Sequence, residues 1–330
     1  MHRRRCCCGR WASWADGGRV FRLRPIATGS LFLLGSADVT QRNGDRLIGF
    51  TLPQRGARGR VVRLDQTVSA VLAAHAYPPQ IARLLADALV LTALLGDLLR
   101  PEDGQLTLQA KGEGGPVKLL VADYKAGALR GYASQDLDRR FAAAETLKAL
   151  FGKGYLVITL DQTEASERYQ GIVELGGETL AEAAEIYFGN SEQLPTVVRL
   201  AGVQQADGGW TAGGMIVQHL SRSELGAARL HVEGGDADWE YVRALAGTVQ
   251  ANELTDPALA LEDLLWRLFH EEEVRVLAPV LLSRGCRCSL DHIRGVLSQF
   301  PDAERATMRN DAGLISVDCE FCSKQFLLEV

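Results

Sequence analysis

Cys286-Arg287-Cys288 and Cys319-Glu320-Phe321-Cys322, separated by thirty residues near the end of a 330-residue chain, carry the most specific chemistry in the sequence. Two thiolates one residue apart, and two more at Cys-x-x-Cys spacing, each present both sulfurs from one short loop. The four can therefore converge on a single tetrahedral Zn²⁺, one per chain. A site closed by four sulfurs has no open position for water or substrate, so the ion is structural or redox-linked and not a Lewis-acid catalyst. Thiolates are also the oxidisable form of cysteine, and Arg284 and Arg287 flank the first pair. Peroxide could convert each close pair to a disulfide and eject the ion. Closing a short loop costs less chain entropy than closing one of thirty residues, which favours Cys286–Cys288 and Cys319–Cys322. The Cys-x-Cys ring is the more strained of the two.

Residues 281–330 that must position these thiols make a domain of about 50 residues, marginal without a staple. Zinc can supply roughly 10–16 kcal/mol of folding free energy there, so loss of the metal should unfold it. Upstream, residues 224–280 hold twelve acids against four Arg and show no strand pattern. Trp239, Val242, Leu245 and Val249 recur at helical spacing, as do Leu261, Leu264, Leu265, Leu268 and Phe269 after Thr255-Asp256-Pro257. The spacing predicts a connector of two or three amphipathic helices, self-repelling by charge, packed against a flanking domain and capped at one end by the zinc-binding domain.

Residues 44–223 read as one α+β core domain. Strands are predicted around Gly49–Leu52, Arg60–Leu64, Gln105–Ala110, Val117–Asp123, Leu129–Ala133, Tyr155–Asp161, Tyr169–Glu174, 197–203 and 213–219, with a helix at 178–188. Residues 65–76 read as helical and stop at Tyr77-Pro78-Pro79. The next helix, with Ile81, Leu84, Leu85, Ala88, Leu89, Leu91, Leu95 and Leu98, is too apolar for a one-sided surface element and belongs in the core. Residues 1–43 are an Arg-rich extension, expected to be disordered and dispensable, with Cys6, Cys7 and Cys8 in an exposed tail.

Composition excludes several functions. Net charge is −5, and with seven Arg against one Asp in residues 1–30 the remaining body is more acidic still, which argues against nucleic acid or an anionic membrane as partner. No run of 18 or more apolar residues is present. His270-Glu271-Glu272-Glu273-Val274 has Val where a zinc protease needs its second His, and Gly112-Glu113-Gly114-Gly115 and Gly152-Lys153-Gly154 lack phosphate-loop spacing. The six His are scattered singly and offer no catalytic base. No enzymatic reaction is expected.

The chain resembles the redox-regulated 33 kDa chaperonin family of heat-shock holdases. The resemblance runs from about Gly44 to the end, through Ala57-Arg58-Gly59-Arg60, His75-Ala76-Tyr77-Pro78, Arg130-Gly131-Tyr132-Ala133, Ser191-Glu192-Gln193-Leu194-Pro195-Thr196, Gly213-Gly214 with Gln218, Leu268-Phe269-His270-Glu271-Glu272, and the four cysteines. It implies a cytoplasmic, ATP-independent chaperone, inactive while reduced and zinc-bound. Oxidation would then form the disulfides, release zinc, unfold the zinc domain and connector, favour homodimers and expose surface for unfolded or oxidatively damaged clients. Cys286, Cys288, Cys319 and Cys322 inherit the ligand and sensor roles by position. Residues 1–40 have no counterpart in that family, and Leu290 stands where a polar residue is expected.

Two rivals remain at this point. A zinc-ribbon nucleic-acid-binding module would need two Cys-x-x-Cys knuckles about 15–20 residues apart and a basic face, whereas residues 281–330 hold six basic and seven acidic residues. A thiol oxidoreductase would need Cys319-Glu-Phe-Cys322 at a helix start in a βαβ context, which the flanking Ile315-Ser316-Val317 and Phe326-Leu327-Leu328 do not supply.

Overall fold

A computed structural model describes residues 44–97, 104–136, 138–139, 146–162, 167–220 and 236–329, with the backbone of Phe21–Arg22. Cys6, Cys7, Cys8, Leu98, residues 221–223 at the end of the predicted core domain and residues 224–235 of the predicted connector lie outside the described residues.

The strands in chain order are β1 (Phe21–Arg22), β2 (Arg46–Leu52), β3 (Ala57–Leu64), β4 (Gly104–Gly114), β5 (Val117–Lys125), β6 (Ala128–Gln135), β7 (Gly152–Gln162) and β8 (Glu167–Glu174). They continue with β9 (Thr196–Gln204), β10 (Trp210–His219), β11 (Arg275–Val276), β12 (Val280–Leu281), β13 (Ser283–Arg284), β14 (Ile315–Asp318) and β15 (Gln325–Leu328). Two large sheets result. The first has the order β1-β11-β2-β3-β10-β9 with β12 also on β2, the second the order β13-β6-β5-β4-β7-β8, and β14 and β15 form a separate hairpin. The fold is mixed α+β.

The central element is α2 (Pro79–Gly96), which follows a short α1 (Gln66–Leu72). Pro79 occupies the first helical turn, where its missing N–H costs nothing. Ile81, Leu85, Leu89, Val90, Leu91 and Leu94 are fully buried because the helix lies between the two sheets. It shares one core with Leu47, Val62, Ala212 and Ile216 of one, and with Leu106, Leu108, Leu120 and Leu156 of the other. Apolar residues all round are what such a position requires. Among the described residues this is the one helix long and apolar enough to cross a membrane, and 78% of that window is buried in the protein's own core.

The far face of the first sheet is also covered. Ile48, Phe50, Leu52, Val61, Met215 and Val217 meet Trp239, Val242, Leu254, Leu264, Leu265 and Phe269 from three further helices, Asp236–Gly247, Ala251–Thr255 and Leu261–Phe269. The predicted connector is therefore an outer layer on the core sheet. The molecule stacks connector helices, first sheet, α2 and second sheet. Gly213 and Gly214 of β10 serve opposite faces: a Cβ on the first would lie 2.2 Å from the Leu254 carbonyl oxygen, and one on the second 2.5 Å from Val90. Both layers need their close approach.

Several expectations change. The connector carries strands: β11 and β12 pair with β2. Two-residue strands are too short to show an alternating pattern, which is why the sequence hides them. The extension is not wholly without structure, since Phe21–Arg22 pairs antiparallel with Arg275–Val276. A helix at Leu147–Phe151 was not expected, although Thr146 caps it by accepting a hydrogen bond from the Ala149 N–H at 3.2 Å.

The acidic connector is not left to repel itself. Arg46 makes two hydrogen bonds to the Glu262 carboxylate, at 2.9 and 2.6 Å. Arg55 binds Asp238 at 2.5 Å and Glu272 at 2.8 Å, with its guanidinium 4.6 Å from the Tyr241 ring centroid. Arg63, 2% exposed, donates to the carbonyls of Leu254, Leu259 and Glu253. Three arginines of one core hairpin thus meet acids and backbone carbonyls of the layer above, where they are stabilising.

Candidate metal centre

The C-terminal region places its thiols at two tight turns. The first follows β13, which runs parallel to β6, with Ser283 beside Ala128 and Arg284 beside Leu129. The Gly285 N–H then donates to Leu129 O at 2.8 Å, and a Cβ at 285 would fall 2.5 Å from that of Ala128. Only glycine lets the strand approach so closely before the chain turns through Cys286 and Cys288. Ser289 ends the turn by capping helix Leu290–Leu297, accepting from the His292 N–H at 3.2 Å. The second turn joins β14 to β15: the Cys319 N–H donates to Lys324 O, and Ser323, at φ 54°, donates its N–H to Cys319 O at 2.7 Å. No helix starts at Cys319, so the oxidoreductase geometry is absent.

The four sulfurs meet. Cys286 Sγ lies 3.3 Å from Cys288 Sγ and 3.6 Å from Cys319 Sγ, and Cys288 Sγ lies 3.6 Å from Cys322 Sγ. All four lie within 4.8 Å of one another, and all are partly exposed free thiols. Four sulfurs about 2.3 Å from a common centre stand about 3.8 Å apart in a tetrahedron, so this cluster is able to bind a metal of that kind. Among the described residues it is the one group of Cys, His, Asp and Glu with this convergence.

Without the ion the cluster divides its protons unevenly. Burial raises the Cys286 thiol, but hydrogen bonds from the Cys288 N–H and from the thiols of Cys288, Cys322 and Cys319 outweigh it and bring it down to about 7. Burial and the Cys286 partnership push Cys288 up to about 12, and burial also raises Cys319. A cation among the four sulfurs would draw off their protons.

A small apolar core of Leu297, Ile315, Phe326 and Leu328, with Ile293, Val317, Cys288 and Cys319 against it, backs the site. Its docking was not foreseen. The expectation was a cap on the connector. The polar and ring contacts of the cysteine turns go instead to the second sheet and to the residues after α1. Arg287 binds Asp123 at 2.9 Å, Phe321 meets Tyr132 edge-on at 5.3 Å, and His75, read as an isolated histidine, sits 2.7 Å from Glu320 O. None of these pairs leaves a local sequence signal, because each joins residues more than 150 positions apart. Elsewhere, Glu192 of the Ser191–Thr196 stretch accepts hydrogen bonds from Tyr169 and Tyr187, and Gln193 takes the left-handed conformation at φ 53°.

Comparison with known proteins agrees with this architecture. A family profile described as "Hsp33 protein" matches residues 45–329. The chain is 42% identical over 295 residues to the 33 kDa chaperonin of Caulobacter vibrioides (strain NA1000 / CB15N), covering 86% of this chain and 95% of that protein. It is 36% identical over 285 residues to that of Shewanella frigidimarina (strain NCIMB 400), covering 86% and 92%. The crystal structure of the 33 kDa chaperonin (heat shock protein 33 homolog) of Thermotoga maritima shares the fold, with a TM-score of 0.73 at 22% identity over 86% of this chain and 94% of that one. The nucleic-acid-binding alternative falls away. The chain belongs to the Hsp33 family, redox-regulated chaperonins with a Cys-x-Cys and Cys-x-x-Cys cluster, and is a chaperone and not an enzyme.

Proposed function

We propose that the metal is Zn²⁺, one per chain, held by Cys286, Cys288, Cys319 and Cys322 in the reduced protein. The carrying observation is the convergence of four sulfurs within 4.8 Å, a soft, closed donor set of the kind zinc takes in structural sites. The ion supplies the cross-link between the two turns, and the small apolar core behind them is too little to hold residues 281–330 folded alone.

Oxidation turns this into a switch. The thiolates of each close pair lose two electrons and form one S–S bond, Cys286–Cys288 and Cys319–Cys322, while the two peroxides consumed are reduced to water with four protons taken up. The sulfurs can then no longer hold the ion. Residues 281–330 unfold, and with them go the anchors of β12 and β13. Residues 224–280 then loosen from the core at 44–223, and the apolar face bearing Ile48, Phe50, Met215 and Val217 becomes available to unfolded or oxidatively damaged proteins. The oxidised form is a homodimer, needs no ATP and works in the cytoplasm.

The test is to treat reduced, zinc-loaded protein with peroxide. Residues 224–330 should become protease-sensitive while roughly 44–220 stays resistant, and suppression of a client's thermal aggregation should appear together with zinc release and vanish after reduction with zinc. Full activity with the connector as protected from hydrogen exchange as before would refute the uncovering mechanism.

A further inference from the structure

Arg287, enclosed by the first cysteine pair, and Phe321, one of the two residues enclosed by the second, cannot ligate the ion, and both reach the same place on the second sheet. Arg287 donates to Asp123 Oδ2 at 2.9 Å and to Gln105 Oε1 at 2.6 Å. Asp123, 3% exposed, also accepts from Arg130 Nε at 2.7 Å and from Thr107 at 2.8 Å. The Arg130 guanidinium in turn lies 4.0 Å from the centroid of Phe321, whose ring meets Tyr132 at 76°. Asp123, Arg130 and Tyr132, on the neighbouring strands β5 and β6, therefore form one platform gripped from two sides.

A two-point grip of this kind works only if both turns keep a fixed separation. An ion shared by the four sulfurs would fix it. Disulfides within each pair leave the two turns unlinked, so the second contact loses the high effective concentration that the first would give it. We propose that Arg287 and Phe321 are a latch through which the state of the metal centre is read by the core: while the ion joins the turns, both residues dock on Asp123, Arg130 and Tyr132, and when the turns part the C-terminal region leaves the sheet. The latch rests on the metal reading above. By linkage, docking must strengthen metal binding as much as metal binding strengthens docking.

The test uses the full reduced chain loaded with Zn²⁺. Arg287→Gln with Phe321→Leu should keep one zinc per chain but bind it roughly tenfold more weakly in competition with a chelator. The same variant should show faster amide exchange at 123–132 and 283–285. Tyr132→Leu on the core side should weaken zinc similarly, although it lies outside the metal-binding region. Combined with Phe321→Leu, it should lose less than the two single effects together, as residues in contact do and a general loss of core stability would not. Unchanged zinc affinity in a zinc-loaded double variant, or full additivity of Tyr132→Leu with Phe321→Leu, would overturn the latch and leave the metal site standing. A wild-type chain without stoichiometric zinc would overturn both.

Discussion

Arg46 and Glu262 are 216 residues apart in sequence and joined by two hydrogen bonds, of 2.9 and 2.6 Å, across the junction between the first core strand and the last connector helix. Arg46 is 5% exposed, so little water competes for its guanidinium. The bidentate geometry fixes both position and orientation of the helix. Arg46→Ala removes the donor and leaves a half-buried carboxylate, at a cost of about 1–3 kcal/mol. Denaturant unfolding should show the lower stability, and limited proteolysis of the reduced protein should cut within 236–269 at concentrations that spare the parent chain. A connector as resistant as before would mean that the apolar faces alone hold it.

Metal removal should separate the C-terminal region from the rest. Its four buried apolar side chains, Leu297, Ile315, Phe326 and Leu328, contribute at most about 1.5–3 kcal/mol each before chain entropy is subtracted. Cys286→Ser with Cys319→Ser should lose zinc and protection of the β14–β15 hairpin amides, while amides of α2 keep theirs. Elemental analysis and hydrogen exchange on one sample decide this. Retained zinc, or zinc lost instead on removing Cys6, Cys7 and Cys8, would show that the ligands lie elsewhere.

Pairing after oxidation is the third expectation. The sulfurs of Cys286 and Cys319 are almost as close as those of Cys286 and Cys288, 3.6 against 3.3 Å, so proximity in the folded cluster does not choose between them. Chain entropy does, because once the region unfolds the long loop is the costlier to close. Peptide mapping should find Cys319–Cys322 first and Cys286–Cys288 second, the smaller ring being more strained and more easily reduced. A dominant link between the two turns would contradict this order.

Truncation to a chain starting at Gly44 should retain zinc and oxidised-state activity. The described contact of the extension is a two-residue strand beside Arg275–Val276, at one end of the first sheet. Its loss should change stability by no more than about 1 kcal/mol, the scale of one net hydrogen bond. Melting temperature and aggregation suppression, compared with the full chain, measure both halves of the expectation.

What the sequence by itself determined is whatever depends on near neighbours. Alternating residues announced β4 to β8, the apolar residues all round Ile81–Leu95, interrupted only by Arg83, Asp87 and Thr92, announced a core helix, and two short cysteine loops announced a metal site. A loop of one or two residues fixes both its sulfurs with little help from the rest of the chain, so ligand spacing survives translation into three dimensions. Tertiary structure alone decided where these pieces meet. The acidic run at 224–280 looked self-repelling because Arg46, Arg55 and Arg63, which meet its charges and carbonyls, come from a hairpin about two hundred residues earlier. In the same way, Arg287 and Phe321 look like spacers between ligands until β5 and β6 bring Asp123, Arg130 and Tyr132 beneath them. Periodicity records which face of an element is buried and carries nothing about its partner, since the physics of a contact depends on distance in space, which the fold alone supplies.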